Sequence, residues 1–263
     1  MQPVEYSQFL KRWVEKYDPE QAWLGDSGAT PPTASEIQAS WQQLVTFSPH
    51  EFDREARLLR NQMQAGLIYR LLNGADLFEN TVQVTTQMAE AALDASLAHH
   101  RIIFEQAFGV PSNPEFTILG LGKLGGRELN LSSDIDIFCV FGEDGKTFGP
   151  RERDHGDYFT HLTKQLAKSL DALTVDGFVE RVDQRLRPWG SAGQLAIPFV
   201  ACEDYYEAHG REWERFALLK ARPVAGDLDL GHKLLRSLKP FLYRKYPDFG
   251  VFESIRDLKS KIE

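Results

Sequence analysis

The chain has 263 residues, 42% of them hydrophobic, and 38 acidic side chains against 30 basic ones, for a formal net charge of -8. That length holds one large domain or two modest ones with a proper core, and the composition is that of an ordinary globular protein. The negative balance excludes a general duplex-binding surface, which needs basic stripes to displace counterions from phosphates, and points to a protein or small-molecule partner.

The first segment, MQPVEYSQFLKRWVEKY, carries acids and lacks the uninterrupted apolar core of a signal peptide. Tyr6, Phe9, Leu10, Trp13 and Val14 recur at helical spacing, which predicts an amphipathic helix. A Gly/Pro/Ser/Thr stretch from Gly25 to Ser35 breaks the pattern, and Ser35 is the expected cap of a second helix through Trp41 and Leu44. Ser48-Pro49-His50-Glu51 then combines a cap residue, a first-turn proline and a glutamate three residues on, predicting a helix to Asn73 stopped by Gly74. A further helix is expected from about Val82 to Phe108, ending at Gly109 before Pro111. Nothing in this arm requires chemistry: the adjacent pair His99-His100 points in two directions on a helix and forms no metal pincer, and Trp13, Trp23 and Trp41 read as packing residues.

The stretch Phe116 to Phe141, FTILGLGKLGGRELNLSSDIDIFCVF, is different. A short apolar run breaks at Gly122, Gly125 and Gly126, and a second β-favouring run carries Asp134 and Asp136. In a strand these two carboxylates share a face while Ile135 and Ile137 face the core. Two acids so close resist ionising together unless a cation sits between them, so the pair reads as a metal site. The glycines, followed by a helix-prone Arg127-Glu128-Leu129, predict free backbone N–H groups and a positive helix end for an anion. Lys123 is placed to reach a phosphate, and Ser132 and Ser133 to donate hydrogen bonds to one or to cap the strand entry.

A polar loop, Gly142 to Pro150, precedes a helix whose Phe159, Leu162, Leu166 and Leu170 form one apolar stripe. Asp176-Gly177 turns the chain into FVERVDQRLR, where alternation predicts a strand bringing Asp183, Arg185 and Arg187 to one face before Pro188. REWERFALLKAR reads as a helix with a basic end, so Lys220 and Arg222 complement its dipole and are weaker site candidates. Cys139 and Cys202 show no zinc or disulfide spacing and read as reduced thiols. No stretch approaches the ~18 consecutive apolar residues of a membrane span, so a soluble, cytoplasmic protein without membrane or nucleic-acid partners is expected.

The order strand, Gly125-Gly126, short helix, strand with Asp134-Ile135-Asp136 resembles the signature of the DNA polymerase β-type nucleotidyltransferase superfamily. More narrowly, GKLGGRELNLSSDID, with GSAGQLAIPF and EDYYEAHGREWERFALLKARPVAGD downstream, resembles the glutamine synthetase adenylyltransferase/adenylyl-removing enzyme family from roughly Phe116 to Asp227. The resemblance implies an α+β fold: an N-terminal helical region over 1–112, a nucleotidyltransferase domain over 113–226, and the start of a further helical region over 227–263. It also implies three carboxylates, Asp134, Asp136 and Asp183, around Mg²⁺ or Mn²⁺, two ions in all, since hard oxygen ligands favour hard cations. Gly125, Gly126, Ser133, Lys123, Arg185 and Arg187 are the matching nucleotide- and phosphate-binding candidates, guanidinium forks suiting phosphate oxygens.

Enzymes of that family look like two tandem halves, one attaching AMP to a tyrosine of glutamine synthetase and one removing it with inorganic phosphate to release ADP. The wording GGRELNLSSDID, the helical arm from Met1 and the tail KARPVAGD resemble the N-terminal, adenylyl-removing half. Lys261-Ile262-Glu263 stands in mid-pattern with no stop signal, so a truncated chain holding one half is expected. The implied partners are glutamine synthetase, the PII signal protein, inorganic phosphate and ADP or ATP. Two rival readings stand beside this one: ATP-dependent adenylylation, which uses the same carboxylates, and a non-catalytic module that docks glutamine synthetase or the PII protein.

Overall fold

The computed structural model describes residues 3–17, 31–149 and 151–243. Trp23, most of the Gly25 to Ser35 break and the Lys261-Ile262-Glu263 end lie outside the described residues. The elements in chain order are α1 (Gln8–Lys16), α2 (Ala34–Gln42), α3 (Pro49–Leu72), α4 (Phe78–Phe108), β1 (Val110–Pro111), β2 (Phe116–Gly120), α5 (Gly122–Gly125), β3 (Ile135–Phe141), β4 (Thr147–Phe148), α6 (His155–Asp171), β5 (Val182–Asp183), β6 (Ala196–Pro198), α7 (Phe199–Ala208), α8 (Glu212–Leu218), β7 (Arg222–Gly226), α9 (Leu228–Ser237) and α10 (Lys239–Leu242). The fold class is α+β, as the resemblance implied. No helix among the described residues is long and apolar enough to cross a membrane.

The start and stop signals explain where the early helices begin and end. Ser7 caps α1 by accepting the Leu10 N–H at 3.2 Å, and the helix buries Leu10 and Trp13 against Ala65 of α3. The cap of α2 is Thr33 rather than Ser35: its N–H donates to the Glu36 carboxylate at 2.7 Å while its hydroxyl accepts the Glu36 N–H at 3.3 Å. Thr33 wins because Glu36, three residues after it, turns back to the cap, whereas Gln38, three after Ser35, donates to Asp94 at 3.0 Å instead. Ser48 and Glu51 form the expected start of α3, the Ser48 N–H donating to the carboxylate at 3.1 Å. Gly74 and Gly109, with φ of 69° and 87°, stop α3 and α4 in the left-handed conformation. His99 and His100 donate to the carbonyls of Val45 (2.9 Å) and Ser96 (2.8 Å), which is a packing role.

The chain divides into two compact units that interleave along the sequence. The first is Met1–Ile102 with Arg127–Ile135 and Gln165–Val182; the second is Ile103–Gly126 with Asp136–Lys164 and Asp183–Glu263. In the first, Arg57 is buried and its guanidinium donates to the carbonyls of Ser169 (3.1 Å) and Ala172 (2.8 Å), where α6 ends, and of Gly177 (3.1 Å) in the turn beyond.

The second unit is organised on a five-stranded sheet in the order β5-β3-β2-β7, with β6 parallel to β3. β2 and β3 are antiparallel from Phe116 opposite Phe141 to Gly120 opposite Ile137. Every residue of β2 is buried, which is why its sequence reads as a continuous apolar run instead of alternating. On one face Phe159 of α6 stacks between Phe116 and Phe141, with ring centroids 5.1 and 5.0 Å apart. On the other, Leu119, Leu121, Phe138 and Val140 pack with Cys202 and Tyr206 of α7 and Leu230 and Leu234 of α9. Cys139 and Cys202 are free and buried, and burial pushes the Cys139 thiol up to about 12, so it is inert at neutral pH. The loop after β3 holds a pairing that its polar composition hid: β4 is antiparallel to β1.

Truncating the stacked ring, Phe159→Ala, is expected to cost about 3–5 kcal/mol of unfolding free energy. Urea denaturation checks this; a midpoint unchanged from the parent chain contradicts the packing described.

Candidate active site

Asp136 is the second residue of β3 and shares its face with Phe138 and Val140 by alternation. The Leu121 N–H donates to the Asp136 carbonyl at 2.8 Å, so the turn after β2 is tied to this residue. A Cβ built on Gly122 would lie 2.7 Å from Asp136 Oδ2, and Gly122 has φ of +51°. The carboxylate therefore lies against a backbone that only glycine allows so close. Sequence reasoning put the weight on Gly125 and Gly126; Gly122 is the glycine that meets the acid, and the signal for it was its place directly after the strand.

The expected helix after Gly125-Gly126 is absent. The helical turn comes one step earlier, as α5, and Arg127 is left-handed with φ of 58°, which ends it. The N–H groups of Gly125 and Gly126 donate to Leu121 (2.9 Å) and Gly122 (3.0 Å) carbonyls, so they are engaged in the turn and not offered to an anion. Gly125 is instead a packing glycine: a Cβ there would lie 2.2 Å from the Lys220 carbonyl oxygen. Arg222, expected at a helix end, opens β7 and donates to the carbonyls of Leu124 (3.0 Å) and Gly125 (3.3 Å). Lys220 contributes that backbone carbonyl, with its side chain exposed, and Lys123 projects from α5, also exposed.

The strand expected to carry the third carboxylate is only two residues long. β5 stops at Asp183 because the Asp183 carboxylate accepts the Arg185 N–H at 2.8 Å, turning the chain. Asp183 lies on the strand beside β3 in the sheet. Arg185 forks onto it, with Nε 3.0 and 2.9 Å from the two oxygens, and this charged hydrogen bonding holds the Asp183 carboxyl below the usual aspartate range. Arg187 departs from the phosphate-binding expectation: it is buried, and its guanidinium donates to the carbonyls of Gln184 (2.6 Å), Ser191 (3.2 Å) and Gly193 (3.0 Å). Its place is inside a loop, as that loop's hydrogen-bonding centre.

Asp134 precedes β3 and belongs to the first unit, where its carboxylate is 2.5 Å from Arg181 Nε. Arg181 also donates to the Ser132 carbonyl at 2.5 Å, so the serine segment is held through its backbone. The sequence pattern marks Arg185 and Arg187 as phosphate-binding candidates on the face of Asp183 and carries no signal for Arg181 at Asp134. The Arg181 carbonyl accepts the Ile135 N–H at 2.9 Å, which fixes it opposite the first acid.

Among the described residues no three His, Cys, Asp or Glu side chains stand close enough together to hold a metal ion. The donor chemistry of Asp134, Asp136 and Asp183 suits a hard divalent cation, yet two of the three carboxylates take their positive partner from an arginine. The arrangement offers a half-buried carboxylate on a rigid strand, a second beside it on β5, and a tight glycine turn beneath the first.

The family model described as glutamate-ammonia ligase adenylyltransferase matches residues 2–237, which includes the helical arm that sequence motifs alone left unidentified. Proteins named bifunctional glutamine synthetase adenylyltransferase/adenylyl-removing enzyme are similar over most of the chain. The one from Thioalkalivibrio sulfidiphilus is 42% identical over 89% of this chain and 25% of its own length. Those from Hahella chejuensis and Pseudomonas aeruginosa are 45% and 43% identical over 80% and 87% of this chain and 22% and 24% of their own. The chain thus spans about a quarter of the length of the curated relatives it matches.

Two measurements check the geometry. Because the Asp183 pKa is depressed on folding, its stabilising contribution is complete above the unfolded value near 3.8 and is lost as pH falls below it. Arg185→Gln should therefore raise the Asp183 pKa in an NMR titration and shrink the acid-side loss of stability; an unmoved pKa contradicts the pairing. Arg187→Leu should lower stability by about 1–3 kcal/mol, since it leaves buried carbonyls unpaired, without changing Asp183 exposure.

Proposed function

This chain belongs to the glutamate-ammonia ligase adenylyltransferase family, and on that premise we propose that it removes AMP from an adenylylated tyrosine of glutamine synthetase by phosphorolysis. The observation that carries the reading is Asp136 on β3, seated against Gly122, with Asp183 on the adjacent strand. Removal in preference to attachment is supported by the wording GGRELNLSSDID ahead of and through the acids and by the helical arm before them. The relatives' printed names cover both activities.

In the proposed reaction, inorganic phosphate attacks the AMP phosphorus in line. A new P–O–P bond forms ADP while the bond to the tyrosine oxygen breaks, and the departing tyrosinate takes up a proton from water. Tyrosinate leaves readily because its parent pKa is ~10, so no protein nucleophile is required. Asp134, Asp136 and Asp183 are the residues that would hold Mg²⁺ or Mn²⁺, which when bound supplies positive charge to the phosphoryl oxygens. Asp136 contributes from a position locked by the strand and the glycine turn. Asp183 and Asp134 would have to release Arg185 and Arg181 to serve as ligands. Lys123 and Arg185, both exposed, are the groups left to meet phosphate oxygens once Arg187 is assigned to its loop. Glutamine synthetase as substrate, the PII protein as partner and a cytoplasmic setting belong to the same proposal.

The test is to incubate the chain with adenylylated glutamine synthetase, Mg²⁺ and labelled inorganic phosphate. Labelled ADP is expected; AMP transferred from ATP to the unmodified enzyme would establish the forward reaction instead, and binding with neither product would leave a docking module. Asp136→Asn should lose about 10²- to 10³-fold in rate, the scale of removing one preorganised electrostatic group. Near-normal turnover in that variant would overturn the carboxylate assignment.

A further inference from the structure

The first unit holds a cavity of about 450 Å³, within the size range of small-molecule sites, whose lining includes Ser132, Ser133 and Arg181 beside the segment that leads to Asp134. One wall is aromatic. Phe9, Trp13 and Tyr17 follow each other along α1 and its end, with ring centroids 6.5 Å apart for the first pair and 4.2 Å for the second; Trp13 is buried, so Phe9 and Tyr17 are the rings left partly open. The charged lining is Arg12, Lys16, Arg60 and Arg181 with Asp176, and two further carboxylates answer it, Asp134 on Arg181 and Glu180 near Arg60 and Arg181. In a chain of net charge -8, four cations against these carboxylates leave a local excess of positive charge, which favours a bound anion.

Three of these cations are pre-positioned. Lys16 is 3.0 Å from Asp176 and 5.1 Å from the centre of the Tyr17 ring. Arg60 donates to Asn61 Oδ1 at 3.2 Å and lies 5.3 Å from the Phe178 ring, and Arg181 is paired with Asp134. The fourth, Arg12, is exposed and has no ion pair among the described residues. A buried carboxyl, Glu180, feels both Arg60 and Arg181, but burial pushes it up to about 7 against their pull. It therefore cancels only part of the positive charge near neutral pH. Asn61 and Gln64, also in the lining, spend their amide N–H groups on the carbonyls of Asp176 (2.8 Å) and Leu131 (3.2 Å), which stiffens the walls.

We propose that this cavity is a metal-independent binding site for a mononucleotide, its phosphate met by the arginine and lysine side chains and its planar base by the α1 rings. Guanidinium groups take phosphate oxygens two at a time, and a ring wall accepts any purine or pyrimidine face. No divalent cation is needed because the protein itself supplies the charge. Arg181 is shared with Asp134, so an occupant and that carboxylate draw on the same guanidinium. The inference does not rest on the proposed reaction, since the cavity would bind whether or not the carboxylates catalyse.

Isothermal titration of the full chain in EDTA with AMP, adenosine and inorganic phosphate tests it. AMP is expected to bind without metal, at least tenfold more tightly than adenosine or phosphate alone. Arg12→Ala, at an exposed position where folding is not at stake, should weaken AMP at least tenfold, Arg12→Lys should restore part of the loss, and Asp136→Asn, which lowers turnover, should leave the AMP affinity measured in EDTA where it was. AMP binding that requires Mg²⁺, or that is abolished by Asp136→Asn while Arg12→Ala has no effect, places the nucleotide at the carboxylate strand and overturns the proposal. Phosphate binding as tightly as AMP overturns the role of the rings.

Discussion

The turn between β2 and β3 depends on one steric constraint: at Gly125 the chain passes so near the Lys220 carbonyl that no side chain fits. That approach lets α5 nest against the start of β7, where Arg222 reaches back to the carbonyls that close the turn. The same turn presents Gly122 to Asp136, so the position of the acid is decided by packing between backbones. Such contacts tolerate almost no displacement, because a carbonyl oxygen and a strand have nowhere to move in a sheet buried on both faces. The aromatic stack on one face and the α7 and α9 side chains on the other supply that immobility.

The charges of each unit are held in pairs of different stiffness. Asp183 and Arg185 are two residues apart, and their pairing is a local turn that costs little to form and little to open. Asp134 and Arg181 come from separate segments, registered by a backbone hydrogen bond from Ile135. Arg187, with an equally basic side chain, is immobilised by carbonyls in a loop interior. The three arginines are equivalent in composition and sit in unlike surroundings, and surroundings decide what a guanidinium does: an exposed one exchanges partners, while a buried one that satisfies several carbonyls is part of the scaffold.

Much of the fold was legible from local chemistry. The Ser48-Pro49-Glu51 start, the stops at Gly74 and Gly109, the α6 stripe and the two strands around the glycines all follow from periodicity and caps, which are short-range rules. The errors lie where short-range signals compete. Ser35 and Thr33 are both cap residues, and the position of Glu36 chose between them. FVERVDQRLR alternates well enough for a strand, but Asp183 captured the Arg185 N–H and turned the chain. Arg127-Glu128-Leu129 has helical propensity that the left-handed Arg127 overrides.

By itself the sequence determined the family, the α+β class and most of the helix starts and stops before the sheet. These are carried by residue identity and spacing over a few turns of chain, which a linear reading sees in full. Only the tertiary structure decided which glycine meets Asp136, that Arg181 answers Asp134, that Arg187 is scaffold, and that Arg12, Lys16, Arg60 and Arg181 surround one cavity. Each of those depends on residues brought together from separate stretches of chain, in units that interleave along the sequence. A partner's identity over such separations is set by packing of whole elements, and no local pattern of side chains records it.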